Sequence, residues 1–165
     1  MDKPCVSGQE EALAQKALLT QTVPVREAEG VHGVSKEQNK ATFRRYVKEV
    51  GNEGKLDLVE EIFDSYLSHQ PDVHAEECGP EDVKRFIGEF RQAFPDFHTT
   101  IEEQIAERDK VVTRWTMRRT QQGEFRGIAP TGEQITVRGI GIFRFSEEGK
   151  VVESWDNLDQ LGMMG

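Results

Sequence analysis

Aromatic residues are missing from the first 34 positions of this chain, and cysteine is scarce throughout, with only Cys5 and Cys78. A segment of Gly, Pro and scattered charge without aromatics has little with which to build a core. Residues 1–34 therefore read as a flexible N-terminal extension, and residues 35–165 as the folded domain. Two cysteines make no disulfide framework, so free thiols in a reducing compartment are expected. Positive charge is also in deficit: 21 Lys and Arg face 30 Asp and Glu, a net charge of -9. That balance argues against a phosphate-tracking nucleic-acid surface and against attraction to an anionic membrane. No apolar run approaches the roughly 18 residues of a spanning helix. The opening residues lack the basic start and unbroken apolar stretch of a secretory signal, and a cytoplasmic location is expected. Phosphate-loop, dinucleotide and nucleophile-elbow patterns are absent. His69, Asp72, His74, Glu76 and Cys78 lie close in sequence but match no zinc spacing, so neither a metal nor another cofactor is expected.

What is present is a strong change of period. Ser35 to Gln38 fits a capping box, and Phe43, Tyr46, Val47 and Val50 then recur on one helical face. Gly51-Asn52-Glu53-Gly54 stops that helix. Leu56, Val59, Ile62 and Phe63 suggest a shorter second helix, followed by an extended stretch to His69. Gly79-Pro80 opens a third, with Val83, Phe86, Ile87, Phe90 and Phe94 on its apolar face. Beyond Pro95 the period switches to two, predicting strands over 97–106, 111–120, 134–145 and 151–158. Three helices followed by long strands predict an α+β domain with the helices packed on one face of a curved sheet.

The chemistry-bearing candidates cluster late in the chain. Asp156 follows Trp155 near the end of the last strand, and alternation puts the two on opposite faces unless a bulge intervenes. A carboxyl turned into an apolar interior would have a raised pKa suited to proton transfer. Turned outward, it would be a solvated acid paired with Arg138 or Arg144. Glu153, placed by alternation with Val151 and Trp155, is a second pocket acid or an edge charge, and Asp159 is a weaker candidate of the same kind. His69 is a candidate hydrogen-bonding group at the pocket mouth, whereas His98 reads as core or surface. Trp115, Phe94 and Phe143 are candidate pocket walls, with Phe90 and Met117 as core or wall. Arg114, Arg118 and Arg119 read as outward charges on a half-exposed sheet.

The segments NKATFRRYVKEVGNEGKLDLVEEIF, FIGEFRQAFPDFHTTIEE, DKVVTRWTMR, GEFRGIAPTGEQITVRGIGIFRF and GKVVESWDNLDQLG together resemble the SnoaL-like polyketide cyclase family. That family belongs to the nuclear transport factor 2-like superfamily, and the resemblance runs from about Lys36 to Gly165. It implies a cone-shaped α+β fold whose curved antiparallel or mixed sheet and three N-terminal helices surround a central cavity. It implies a cofactor-free ring closure by intramolecular aldol condensation on an apolar, carbonyl-bearing small molecule. The family's acid/base aspartate falls on Asp156, and a homodimer through the convex sheet face is implied as well. The chain departs from the family at two places. A histidine often precedes the GEF segment, where this chain has Gln121. Some cyclases carry a second histidine on the strand that here holds only Gly139, Ile140, Gly141 and Ile142. A ligand-binding or dimerising module without catalysis, and a hydrolase working through an activated water, remain open alternatives.

Overall fold

The structure, a computed structural model, describes residues 34–69 and 76–159. The extension called over residues 1–34 lies almost wholly outside the described residues, as do Asp72 and His74. Helix α1 (Lys36–Arg45) begins with the expected capping box: Ser35 Oγ accepts from the Gln38 amide at 3.2 Å, and the Ser35 amide donates to Gln38 Oε1 at 2.8 Å. The helix then loosens into a π-helical turn (Tyr46–Asn52). Its C-terminal carbonyls are met from outside, with Arg91 Nη1 donating to Gly51 at 2.7 Å and Asn52 at 3.0 Å. The second predicted helix shortens to a 3-10 turn (Leu56–Leu58) and a single α turn, α2 (Val59–Ile62). Helix α3 (Pro80–Ala93) carries Pro80 in its first turn, and Asp82 Oδ2 accepts from the Gly79 amide at 2.9 Å.

Six strands form one sheet: β1 (Phe63–His69), β2 (Glu76–Cys78), β3 (His98–Glu107), β4 (Lys110–Thr120), β5 (Gln134–Phe145) and β6 (Val151–Leu158), in the order β2-β1-β6-β5-β4-β3. All pairs are antiparallel except β1 with β6, which makes the sheet mixed. The short strand β2 had no signature in the sequence. Cys78 on that strand is buried and is not a free thiol, contrary to the expectation of free cysteines.

Strand alternation assigns the two faces. On β5, Val137, Gly139, Gly141, Phe143 and Phe145 point to the helices and are buried, while Arg138 and Ile140 between them are exposed. Two apolar clusters fill the inward side. The larger joins Phe43, Val50, Ile62, Phe63, Val111 and Phe143, with the Phe43 and Phe143 rings 4.2 Å apart. The smaller joins Phe90, Ala93, Phe94 and Phe97 at the far end of α3, and Phe86 touches both. Burial of these side chains supplies most of the driving force for the fold.

Candidate functional site

Asp156 lies across from Gly141 on β5, and Ser154 lies across from Phe143, so both acid and hydroxyl share the inward, helix-facing side. Trp155 pairs with Ile142 and faces outward. The inward side chains around Asp156 differ from the clusters that flank them. Tyr46, Tyr66, Phe86, Trp115 and Met117 are only half-buried, whereas Phe43, Phe143, Phe90 and Phe94 are buried. Solvent still reaches these inward groups, most of which pack against the two clusters, so the space between the clusters, the hollow, is less tightly filled than either. Asp156 is itself partly accessible at its surface yet deeply enclosed by protein.

That enclosure sets its chemistry. Burial pushes the Asp156 carboxyl up to about 6, and a hydrogen bond from the Ser154 hydroxyl holds it down in part. Ser154→Ala should therefore move the acid's midpoint upward, and a titration of activity against pH reads this directly; a midpoint that stays or falls would remove Ser154 from the site. Among the described residues Asp156 makes no ion pair. Of the two arginines considered from sequence, Arg144 is taken by Glu153 on the other face, with Nε to Oε2 at 2.7 Å, and Arg138 alternates outward.

Two tyrosines approach the acid, Tyr46 from the π-helical turn and Tyr66 from β1. Burial raises the Tyr46 hydroxyl, followed by the charges of Tyr66 and Asp156. Burial pushes Tyr66 up to about 12, with smaller contributions from Asp156 and Asp82. Both stay protonated at neutral pH and keep O–H donors close enough to Asp156 for its charge to act on them. Sequence reading placed Tyr46 on one face of the first helix and Tyr66 in an extended stretch. These are the only two tyrosines in the chain, and their shared approach to the last strand is a tertiary fact.

Two glycines shape the floor. A Cβ at Gly139 would stand 2.4 Å from Trp115 Cζ2, so the indole lies directly on the backbone of β5. A Cβ at Gly141 would stand 2.7 Å from Asp156 Oδ1 and 2.6 Å from Phe143 Cε2. Phe143 thus lies beside Gly141, the strand neighbour of Asp156, and Trp115 over Gly139, two residues away on β5. Phe94 does not: it packs with Phe90, Phe97 and Phe125 in the cluster at the end of α3.

His69 and Glu153 are brought together, but on the outer face. His69 Nε2 is 2.9 Å from Glu153 Oε1, and its ring stacks on Trp155 at 5.0 Å. The cause is a bulge in β6 between Val151 and Glu153, which leaves Val151 inward and turns Glu153 outward. An open groove of about 1030 Å³ runs over this outer face, walled largely by outward residues such as His69, Arg138, Ile140 and Trp155 and bordered by Asp156 and Trp115. The desolvated Asp156 carboxyl points to the opposite, helix-facing side. His98 and Asp159 are exposed. Among the described residues no group of three or more His, Cys, Asp or Glu could hold a metal ion.

Gln121, in place of the family's frequent histidine, is buried and structural. Its Nε2 faces the backbone carbonyls of Gly123, Ile128 and Ala129 at 3.1–3.3 Å and pins the GEFRGIAPTG loop.

The sequence profile described as SnoaL-like polyketide cyclase matches residues 41–165. The chain belongs to the SnoaL-like polyketide cyclase family. Solved structures agree. A SnoaL-like polyketide cyclase candidate from Jannaschia sp. CCS1 is 25% identical, with a TM-score of 0.69 over 84% of this chain and 95% of that one. AclR from Streptomyces galilaeus, described as a candidate hydroxylase, is 27% identical, with a TM-score of 0.66 over 79% and 95%. IdmH from Streptomyces antibioticus, a candidate polyketide cyclase, is 25% identical, with a TM-score of 0.65 over 77% and 96%. No curated protein matches the chain. The mixed six-stranded sheet with three helices is the SnoaL-like form of the nuclear transport factor 2-like fold. Family and fold make this a small-molecule-binding protein of the SnoaL-like polyketide cyclase family, and no helix among the described residues is long and apolar enough to cross a membrane.

Proposed function

We propose that this SnoaL-like protein is a cofactor-free cyclase or isomerase acting on an apolar, carbonyl-bearing small molecule, with Asp156 as the acid/base. The observation that carries the reading is a desolvated carboxyl facing a hollow beside two protonated tyrosines. In the first step the Asp156 carboxylate takes a proton from the carbon next to a carbonyl, and the C–H electron pair moves into an enolate. The Tyr46 and Tyr66 hydroxyls stabilise the negative oxygen in this reading, which their electrostatic coupling to Asp156 supports. The enolate carbon then attacks a second carbonyl carbon, forming the ring C–C bond. The resulting alkoxide takes back the proton from the Asp156 carboxylic acid, so the sequence is a net isomerisation. Trp115 and Phe143 supply the apolar wall that holds a flexible substrate folded.

The test is proton exchange. In D2O, the protein with a flexible 1,5-diketone or ketoester should wash deuterium into the carbon next to the carbonyl, followed by NMR, with a rate that rises through a midpoint near 6. A panel of such compounds showing neither exchange nor ring product would sink the reading. A non-catalytic binding module draws support from the missing histidines; it would bind the same compounds with no exchange.

The outer face is suited to a second copy of the chain. Ile105, Val112, Ile142 and Trp155 line up across four strands, and Ile140 beside them is 49% exposed. A homodimer through this row would be broken by Ile140→Glu, read as a halved mass in sedimentation equilibrium. A parent chain that already runs as a monomer would rule it out.

A further inference from the structure

Arg119 is the buried charge that the proposed chemistry does not use. Sequence reading placed it with Arg118 as an outward charge, and the structure overturns that: Arg119 is 7% exposed, while Arg118 is exposed. The physical reason is alternation, since Arg119 shares the inward face of β4 with Val111, Thr113, Trp115 and Met117. Its guanidinium carbon lies 4.4 Å from the Phe94 ring centroid and 5.1 Å from that of Phe90. Phe125, from the GEFRGIAPTG loop, packs edge-on against both rings.

Among the described residues no carboxylate answers this charge. Arg119 makes no ion pair among the described residues, and its Nε is buried without a hydrogen-bond partner. Arginine stays protonated in proteins, so the charge cannot be shed on burial. Aromatic faces offset part of the desolvation cost, but they do not satisfy the N–H donors. Burial accordingly pulls its pKa below the usual arginine value. In a chain of net charge -9, an acid placed here would have been easy to supply. The fork is left open to something that comes from outside.

We propose that Arg119 anchors an anionic group, a carboxylate, at the end of the ligand remote from Asp156. The proposal rests on the inward hollow being the ligand site, and not on the chemistry at Asp156. Thr113 is across from Gly141, which is across from Asp156, and Arg119 is six residues further along β4. At the usual strand rise this puts the two positions about 20 Å apart along the backbone. The ligand is therefore elongated, with its reacting carbonyl near one end and its acid at the other. A planar guanidinium recognises a carboxylate by two parallel hydrogen bonds.

The experiment compares 2-naphthoate with its neutral isostere 2-naphthamide by isothermal titration calorimetry. The unmodified protein should bind the acid about tenfold more tightly. Arg119→Met, checked for folding by circular dichroism, should bind both equally, with the amide affinity unchanged. Should that variant fail to fold, Arg119→Lys keeps the charge without the fork and should cut the preference to about threefold. Asp156→Asn should leave the preference intact, so loss of the acid/base reading and loss of this one are separable. Equal affinities in the unmodified protein, a preference that survives Arg119→Met, or no binding of either probe overturns the proposal. So does inorganic phosphate displacing naphthoate at comparable concentration and constant ionic strength, which would assign the fork to a free anion.

Discussion

Asp156→Asn is expected to lower the rate of proton abstraction by about 10²–10⁴-fold, the usual contribution of a positioned acid/base, while making the protein more stable at neutral pH. The two effects have one cause. The Asp156 carboxyl is moved from its ordinary 3.8 to about 6, chiefly by desolvation. Between those values the folded protein holds a proton that the unfolded chain releases. The cost of the buried charge is absent below about pH 4, grows as pH rises towards 6, and is fully present above it. At 1.36 kcal/mol per pKa unit the gap amounts to about 3 kcal/mol. Asparagine, which never ionises, escapes that cost. Urea unfolding should show the variant ahead of its parent by up to about 3 kcal/mol at pH 7, with the two converging near pH 4. A variant equally stable at both pH values, or one that keeps its rate on a confirmed substrate, would mean the carboxyl is neither desolvated nor the base.

The second large effect is expected from one added methyl group. Gly141 has no special backbone angle that demands glycine; its role is space. In Gly141→Ala the new Cβ meets Asp156 Oδ1 at 2.7 Å and Phe143 Cε2 at 2.6 Å, both closer than real side chains allow. Either the carboxyl turns away or the phenyl ring, already 4.2 Å from Phe43, shifts in a filled cluster. Overpacking of this kind costs about 1–3 kcal/mol, and a carboxyl displaced by about 1 Å loses on the order of 10²-fold in rate. The two readouts separate the routes: a stable variant with a collapsed rate means that the acid moved, whereas an unstable one with its rate intact means that the ring moved. Unchanged rate and stability together would show that the floor beneath Asp156 is open.

Much of this was legible in the chain itself. The capping box at Ser35, the helical face of Phe43 and Val50, and the four long strands follow from local period and turn chemistry. Alternation correctly set Trp155 and Asp156 on opposite faces. What local pattern cannot carry is registry between distant strands. Glu153 was assigned the face of Val151 because period two assumes an unbroken strand, and one bulge parts them. His69 lies with Glu153 because β1 runs parallel to β6, a pairing that joins residues 84 apart. Phe94 continues the spacing of α3 past its last turn and so reads as part of the same wall, although the chain there turns into a separate cluster. Arg119 was legible in principle, because adjacent strand residues cannot both face water on a covered sheet. The habit of sending charge outward hid it.

The place of β6 in the sheet has a consequence for how the protein is made. It is the last of the described strands in the chain, yet it lies between β1 and β5 rather than at an edge. Until it emerges from the ribosome, β1 and β2 have no hydrogen-bonded connection to the block formed by β3, β4 and β5. The nascent chain therefore waits with two unmatched strand edges open to other chains. Closure of that seam depends on contacts between distant parts of the sequence, which form slowly. The same insertion that completes the sheet carries Asp156 into position, so the chain acquires its acid only at the moment it finishes folding.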